Sequence, residues 1–207
     1  MNNNIINIAV FVSGGGTNLQ ALIDAEASGI IKHGRISLVV SNNSNAFALK
    51  RAENAGIETA VVLKKDYANQ SAFEDELIRL LKSKDIELVV LAGFMSILSE
   101  KFTRAFDKRI INVHPSLIPS FCGKGFYGLK VHEAALAYGV KVTGATVHYV
   151  NEIPDGGEII MQKAVNISLR DTPETLQKRV MINAEWKILP KATEKVCTKL
   201  LKTRNRG

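Results

Sequence analysis

The stretch "IINIAVFVSGGGTNLQALI", Ile5 to Ile23, decides the fold. Ile5–Val12 is a continuous β-branched apolar run bounded by Asn and Gly, the pattern of a strand covered on both faces. Four small residues, Ser13–Gly16, interrupt it, and helical spacing then takes over through Leu19, Leu22 and Ile23. A buried strand, a glycine turn and a helix in that order open a βαβ unit.

The same rhythm continues down the chain. Strands are expected at Arg35–Asn42, Thr59–Leu63, Ile86–Gly93 and, in "RIINVH", Arg109–His114. Between them lie a helical "NAFALKRAENAG" closed by Gly56 and an amphipathic helix from Ser71. This alternation predicts an α/β fold with a doubly wound, mostly parallel, Rossmann-like sheet. The pattern then changes. After the glycine-rich loop Cys122–Gly128 and a helix over Leu129–Ala137, the runs "VTGATVHYV" and "EIIMQKAVNI" are joined only by "NEIPDGG". That link is too short for a helical crossover, so the two runs form an antiparallel C-terminal hairpin. Pro173–Leu201 reads as a closing helix, with Thr172 as its cap and Pro173 at its first position.

In an open α/β sheet, ligands bind beyond the carboxyl ends of the strands. Three polar features fall there: Ser13–Asn18, Gly93–Leu98 and the pair Asn112 and His114. The first, "SGGGTN", is an anion cradle, because glycines let the backbone approach closely and a helix start offers unpaired N–H groups. A tight strand-to-helix turn without a ligand is the plainer reading, and the match to a dinucleotide fingerprint is incomplete. Gly14 and Gly16 fit G-x-G-x-x-G, but Leu19 takes the third place, and the second strand ends in "SNNSN" without an acidic residue. Asn112 and His114, two residues apart, face the same side of an extended strand, and Pro115 keeps His114 out of any following helix. Asp155 lies in "IPDGG", where Asp-Gly also serves as an ordinary hairpin turn.

Bulk properties narrow the class. The 207 residues suit one domain, and the net charge of +7 favours anionic ligands. Much of that charge sits in the tail Lys187–Arg206, which has no interleaved aromatics for stacking bases. Cys122 and Cys197 have neither a metal-binding nor a disulfide pattern, and the first residues resemble neither a signal peptide nor a membrane span. A cytoplasmic protein is expected.

Taken together, "AVFVSGGGTNLQALI", "LVVLAGFMSIL", "INVHPSLIPSF", "VTGATVHYVNEIPDGGEII" and "RVMINAEWKILP" resemble the phosphoribosylglycinamide formyltransferases, a folate-dependent formyltransferase family of purine biosynthesis. The resemblance runs from Asn7 to about Pro190. It implies transfer of a formyl group from 10-formyltetrahydrofolate, used as co-substrate without a metal, to glycinamide ribonucleotide. Asn112, His114 and Asp155 match the family's catalytic residues. Gly16, Thr17 and Asn18 match its phosphate loop, and Glu185 the acid that holds the glycinamide end. Met95, Ser96, Ile97 and Leu98 match the folate-lining segment, and Gln70 falls near the folate tail; Gln70 and Ser96 stand where some members carry Arg. Asp155 is expected to raise the His114 pKa, so that a protonated imidazole and the Asn112 amide donate to the formyl oxygen. The expected organisation is a single domain, with a ribonucleotide-binding half to about residue 100 and a folate and catalytic half from about 101. The expected partners are small molecules, with no nucleic acid and no membrane, in a monomer or weak homodimer.

Three alternatives remain. Formyltetrahydrofolate hydrolase and methionyl-tRNA formyltransferase types use the same donor, but usually carry an extra N-terminal or C-terminal domain respectively. A non-catalytic phosphate-ligand or RNA-binding module would use the positive charge without the polar strand ends.

Overall fold

The first strand, β1 (Ile6–Val12), is buried along almost its whole length, and its side chains alternate between two cores. Ile6, Ile8, Val10 and Val12 enter one core, while Ala9 and Phe11 enter the other. That two-sided burial is why the run is apolar without alternation. The computed structural model describes residues 4–205, so Met1–Asn3 and, at the end of the basic tail, Arg206 and Gly207 lie outside the described residues.

The elements that follow are α1 (Thr17–Ala27), β2 (Gly34–Ser41), α2 (Phe47–Asn54), β3 (Glu58–Val61), α3 (Gln70–Ser83), β4 (Leu88–Leu91), α4 (Glu100–Ala105) and β5 (Ile110–His114). After them come α5 (Leu129–Tyr138), β6 (Val142–Tyr149), β7 (Ile159–Asn166), α6 (Pro173–Val180) and α7 (Trp186–Arg204). One seven-stranded sheet has the order β3-β2-β1-β4-β5-β6-β7. Strands β1 to β5 run parallel, and β6 and β7 are antiparallel. The doubly wound sheet with its C-terminal hairpin is therefore as expected.

Helices α1, α2, α6 and α7 cover one face through residues such as Leu19, Leu49, Leu176 and Ile188. Helices α3 and α4 cover the other with Phe73, Leu77, Leu81 and Phe102. Three local differences stand out. Helix α3 starts at Gln70, one residue early, because Asn69 rather than Ser71 caps it and accepts from the Ala72 N–H at 2.9 Å. The short α4 was not legible, since six residues give too few turns to show a period. The closing helix is broken in phase: a single π turn, Met181–Glu185, separates α6 from α7. Among the described residues, no helix is long and apolar enough to cross a membrane.

Candidate active site

The carboxyl ends of β1, β4 and β5 sit side by side in the centre of the sheet, and each delivers one of the polar features. At β1, Gly16 adopts a left-handed φ of 71°, and a Cβ there would lie 2.6 Å from the Ala48 Cβ. Only glycine allows α1 to start so close to α2. The first-turn N–H groups of α1 have no acceptor within the helix, so the anion cradle has its physical basis. The Asn18 side chain, however, points elsewhere. Its Nδ2 donates to Glu185 Oε2 at 2.7 Å, across 167 residues of chain.

Glu185 is buried at the end of the π turn, and burial pushes its pKa from the ordinary 4.5 up to about 7, against the opposing hydrogen bond from Asn18. Folding therefore takes up a proton at this carboxyl between those two values. The stability it contributes is full below pH 4.5 and is lost as the pH rises through about 7. Glu185→Gln is expected to have a higher urea midpoint than the parent at pH 8 and to converge with it at pH 4. Parallel pH dependence in both proteins would show that Glu185 is not the group responsible.

On β5, Asn112 and His114 share one face, opposite Ile111 and Val113, which pack in the core under α1 and α7. Asp155 reaches them from the turn after β6, with Oδ2 3.5 Å from His114 Nδ1. The structure adds a fourth member, His148 on β6. Antiparallel register sets His148 opposite Asn112, with Asn112 Nδ2 3.2 Å from His148 Nε2 and Asp155 Oδ1 3.6 Å from the same nitrogen. His148 was invisible in one dimension, because its place depends on how β5 and β6 align. Its signal was present nonetheless, in "TVHYV" seven residues before Asp155.

Backbone carbonyls fix the tautomers. His114 Nε2 donates to Phe121 O and His148 Nδ1 donates to Tyr149 O, each at 2.8 Å, because a carbonyl oxygen can only accept. That leaves His148 Nε2 to accept from the Asn112 amide. A neutral His114 leaves the Nδ1 lone pair facing the Asp155 carboxylate. Burial raises the Asp155 carboxyl, but its contact with His148, the charge that His114 carries once protonated and the Gly123 N–H (2.8 Å to Oδ2) together hold it below its usual range.

For His114 the expected direction is reversed. Burial lowers its pKa and outweighs the attraction of Asp155, so the resting imidazole is neutral. His132, on α5, is fully buried, and among the described residues neither ring nitrogen has a hydrogen-bond partner. Burial, followed by the charge of His114, lowers its pKa to about 4. Burial and Asp155 raise the Cys122 thiol, which leaves it a poor nucleophile.

The segment after β4 divides. Met95 and Ile97 are exposed, at 57% and 69%, whereas the Leu98 side chain is buried in the core with Phe102 and does not face the site. Ser96 Oγ accepts from Asn42 at 2.8 Å. Gln70 turns inward, donating to Glu74 Oε1 at 2.6 Å and to Ile97 O at 3.2 Å. A groove of about 590 Å³ between α1 and α7, walled in part by Trp186, meets the strand-end cluster only at Thr17.

A family model described as "Formyl transferase" matches residues 6–193. The chain belongs to the formyl transferase family. Within the family it is 42% identical over 183 residues to the phosphoribosylglycinamide formyltransferase of Haemophilus influenzae, covering 88% of this chain and 83% of that one. It is 43% identical over 195 residues to the trifunctional purine biosynthetic protein adenosine-3 of Gallus gallus, covering 94% of this chain and 19% of that protein. The chain thus spans about one-fifth of the trifunctional relatives it matches. Among solved structures, glycinamide ribonucleotide transformylase 1 of Symbiobacterium toebii superposes with a TM-score of 0.89 at 38% identity, covering 96% of this chain and 90% of that one.

Proposed function

We propose that the protein transfers the formyl group of 10-formyltetrahydrofolate to the amine of N1-(5-phosphoribosyl)glycinamide, giving formylglycinamide ribonucleotide and tetrahydrofolate in de novo purine biosynthesis. The observation that carries this reading is the convergence of Asn112, His114 and Asp155 at the strand ends of a formyl transferase chain.

Formyl transfer forms a bond from the substrate nitrogen to the formyl carbon and breaks the bond from that carbon to the folate nitrogen. One proton must leave the attacking nitrogen and one must reach the leaving nitrogen. The neutral His114 Nδ1 is the proton acceptor in this scheme. Protonation there replaces a lone pair facing a carboxylate with an ion pair to Asp155 at 3.5 Å. The imidazolium then returns the proton to the departing folate nitrogen. Asn112 has a second N–H beyond the one shared with His148, and it donates to the formyl oxygen as charge develops there. No covalent intermediate is needed.

Gly16 and Thr17 hold the ribonucleotide phosphate at the start of α1, with Asn18 orienting Glu185 toward the glycinamide end. Met95 and Ile97 contribute apolar contact to the flat ring of the folate, and Ser96 and Leu98 contribute backbone. The two halves of the chain do not divide the substrates between them. Glu185 joins the N-terminal loop at Asn18, and Met95–Leu98 precedes the C-terminal half.

A spectrophotometric assay of tetrahydrofolate release, run with and without glycinamide ribonucleotide, tests this reading. Release is expected only with the acceptor. Equal release without it would make the protein a hydrolase, and no release under either condition would refute the assignment.

A further inference from the structure

The inward turn of Gln70 leads to a carboxylate outside the site. Glu74 lies on the buried stripe of α3 with Phe73, Leu77 and Leu81, and is itself fully buried. A charged residue in such a stripe is rare and needs partners for its oxygens. Its partners are specific. Oε1 accepts from Gln70 Nε2 at 2.6 Å and from the Ser99 N–H at 2.7 Å, and Oε2 accepts from the Ser99 hydroxyl. Ser99 stands at the N-cap of α4, yet its hydroxyl makes no cap bond because it is turned to Glu74. Gln70 bridges onward to Ile97 O. Glu74 thereby grips both sides of Ile97–Ser99.

The other end of the segment is held as firmly. The Met95 N–H donates to Ser13 Oγ at 2.8 Å, Ser13 Oγ donates to Asn42 Oδ1 at 2.7 Å, and Asn42 Nδ2 donates to Ser96. Met95 and Ile97 are thus two exposed apolar side chains on a loop whose backbone is tied down at both ends. A loop with no bound partner to shape has little reason to carry a buried carboxylate, since an apolar residue of similar size in the stripe is usually at least as stabilising.

We infer that Glu74 is a positioning residue for the co-substrate: through Gln70 and Ser99 it fixes Met95–Ile97 as a preformed edge for the ring system of the formyl donor. Gln70 belongs to this clamp, and both N–H groups of its amide are committed within it. The inference rests on the proposed function. It concerns recognition only, because Glu74 touches neither substrate.

The test compares the parent with Glu74→Gln and Ser99→Ala, which remove one side of the clamp's hydrogen bonding. Readouts are KM for each substrate, kcat, the urea midpoint, and the dissociation constant of tetrahydrofolate alone by calorimetry. Glu74→Gln is expected to weaken tetrahydrofolate binding and raise the donor KM by about tenfold, the loss that follows from turning one of two accepting oxygens into a donor against its partners. The ribonucleotide KM is expected to stay within about twofold, because its contacts lie on α1 and the π turn. Ser99→Ala is expected to move the same two quantities by a smaller factor, and it decides the matter if Glu74→Gln does not fold. Unchanged donor affinity would overturn the inference. So would equal rises in both KM values in step with a lower urea midpoint, the signature of a purely structural role. Calorimetry needs no acceptor, so turnover with some other acceptor would correct the assigned reaction and leave the Glu74 comparison standing.

Discussion

Asp155→Asn is expected to lower kcat by about 10²–10⁴, the range for losing a positioned acid–base partner, while leaving the protein folded. The amide retains an oxygen to accept from the Gly123 N–H, so the turn after β6 keeps its tie to the loop. The charge between the two imidazoles is lost. With that oxygen in the Oδ2 place, which faces both Gly123 and His114, the amide N–H takes the Oδ1 place and points at His148 Nε2, so His114 Nδ1 keeps a neutral oxygen beside it in place of a carboxylate.

The pH profile separates this account from a simple loss of shape. With a neutral His114 as acceptor, kcat/KM should fall on the acid side with a midpoint below the ordinary 6.5, since burial lowers that pKa. Asp155 opposes that lowering, so any residual activity of the variant should carry an acid limb shifted further down. Steady-state rates across pH, with urea midpoints alongside, provide the check. Near-parental turnover in a folded variant would remove Asp155 from the mechanism.

Gly157→Ala is expected to cost about 3 kcal/mol or more of folding stability, at or beyond the upper end for overpacking a tight site. A Cβ at this position would lie 1.8 Å from Tyr149 O and 2.7 Å from its carbonyl carbon, both backbone atoms with no rotamer to yield. The same junction holds the Tyr149 N–H bond to Glu158 O at 2.9 Å and the shift of register after Val147. Relief requires β6 and β7 to separate at the turn that presents Asp155. Tyr149 O is also the acceptor that sets the His148 tautomer, so the damage spreads into the site. A large drop in urea midpoint together with weakened turnover is the expected result. An unchanged midpoint would mean that the hairpin is far looser than its contacts indicate.

These two substitutions fall on neighbours that the sequence presents very differently. Asp155 was legible only through the family resemblance of "IPDGG", because the residues alone read equally well as an ordinary Asp-Gly hairpin turn. Strand positions and the shared face of Asn112 and His114 followed from period-two reasoning, and the doubly wound sheet from the strand–helix rhythm. The close approach at Gly157, two residues before β7, depends on how β7 aligns with β6 at Tyr149, and pairing register is not written in either strand alone. The same limit hid His148. His132 and Glu74 were hidden for another reason: each sits within an amphipathic helix whose period shows where apolar residues go, and not which polar one is enclosed. The direction of the His114 shift also needed three dimensions. One neighbouring carboxylate argues for a raised pKa, and only the depth of enclosure reverses it.

The π turn at Met181–Glu185 has a consequence for how the last third of the molecule is aimed. Successive residues of an α-helix are rotated by about 100°, so one wider turn offsets everything after it from everything before. Leu176 and Val180 on one side of that offset, and Ile188 and Leu189 on the other, all reach the same core despite belonging to different helical phases. The rod stays continuous while its facing direction is reset at the residue that meets Asn18. Glu185 is thus pointed by a dislocation in a stiff element, which holds an acid in place with far less play than a loop of equal length would allow.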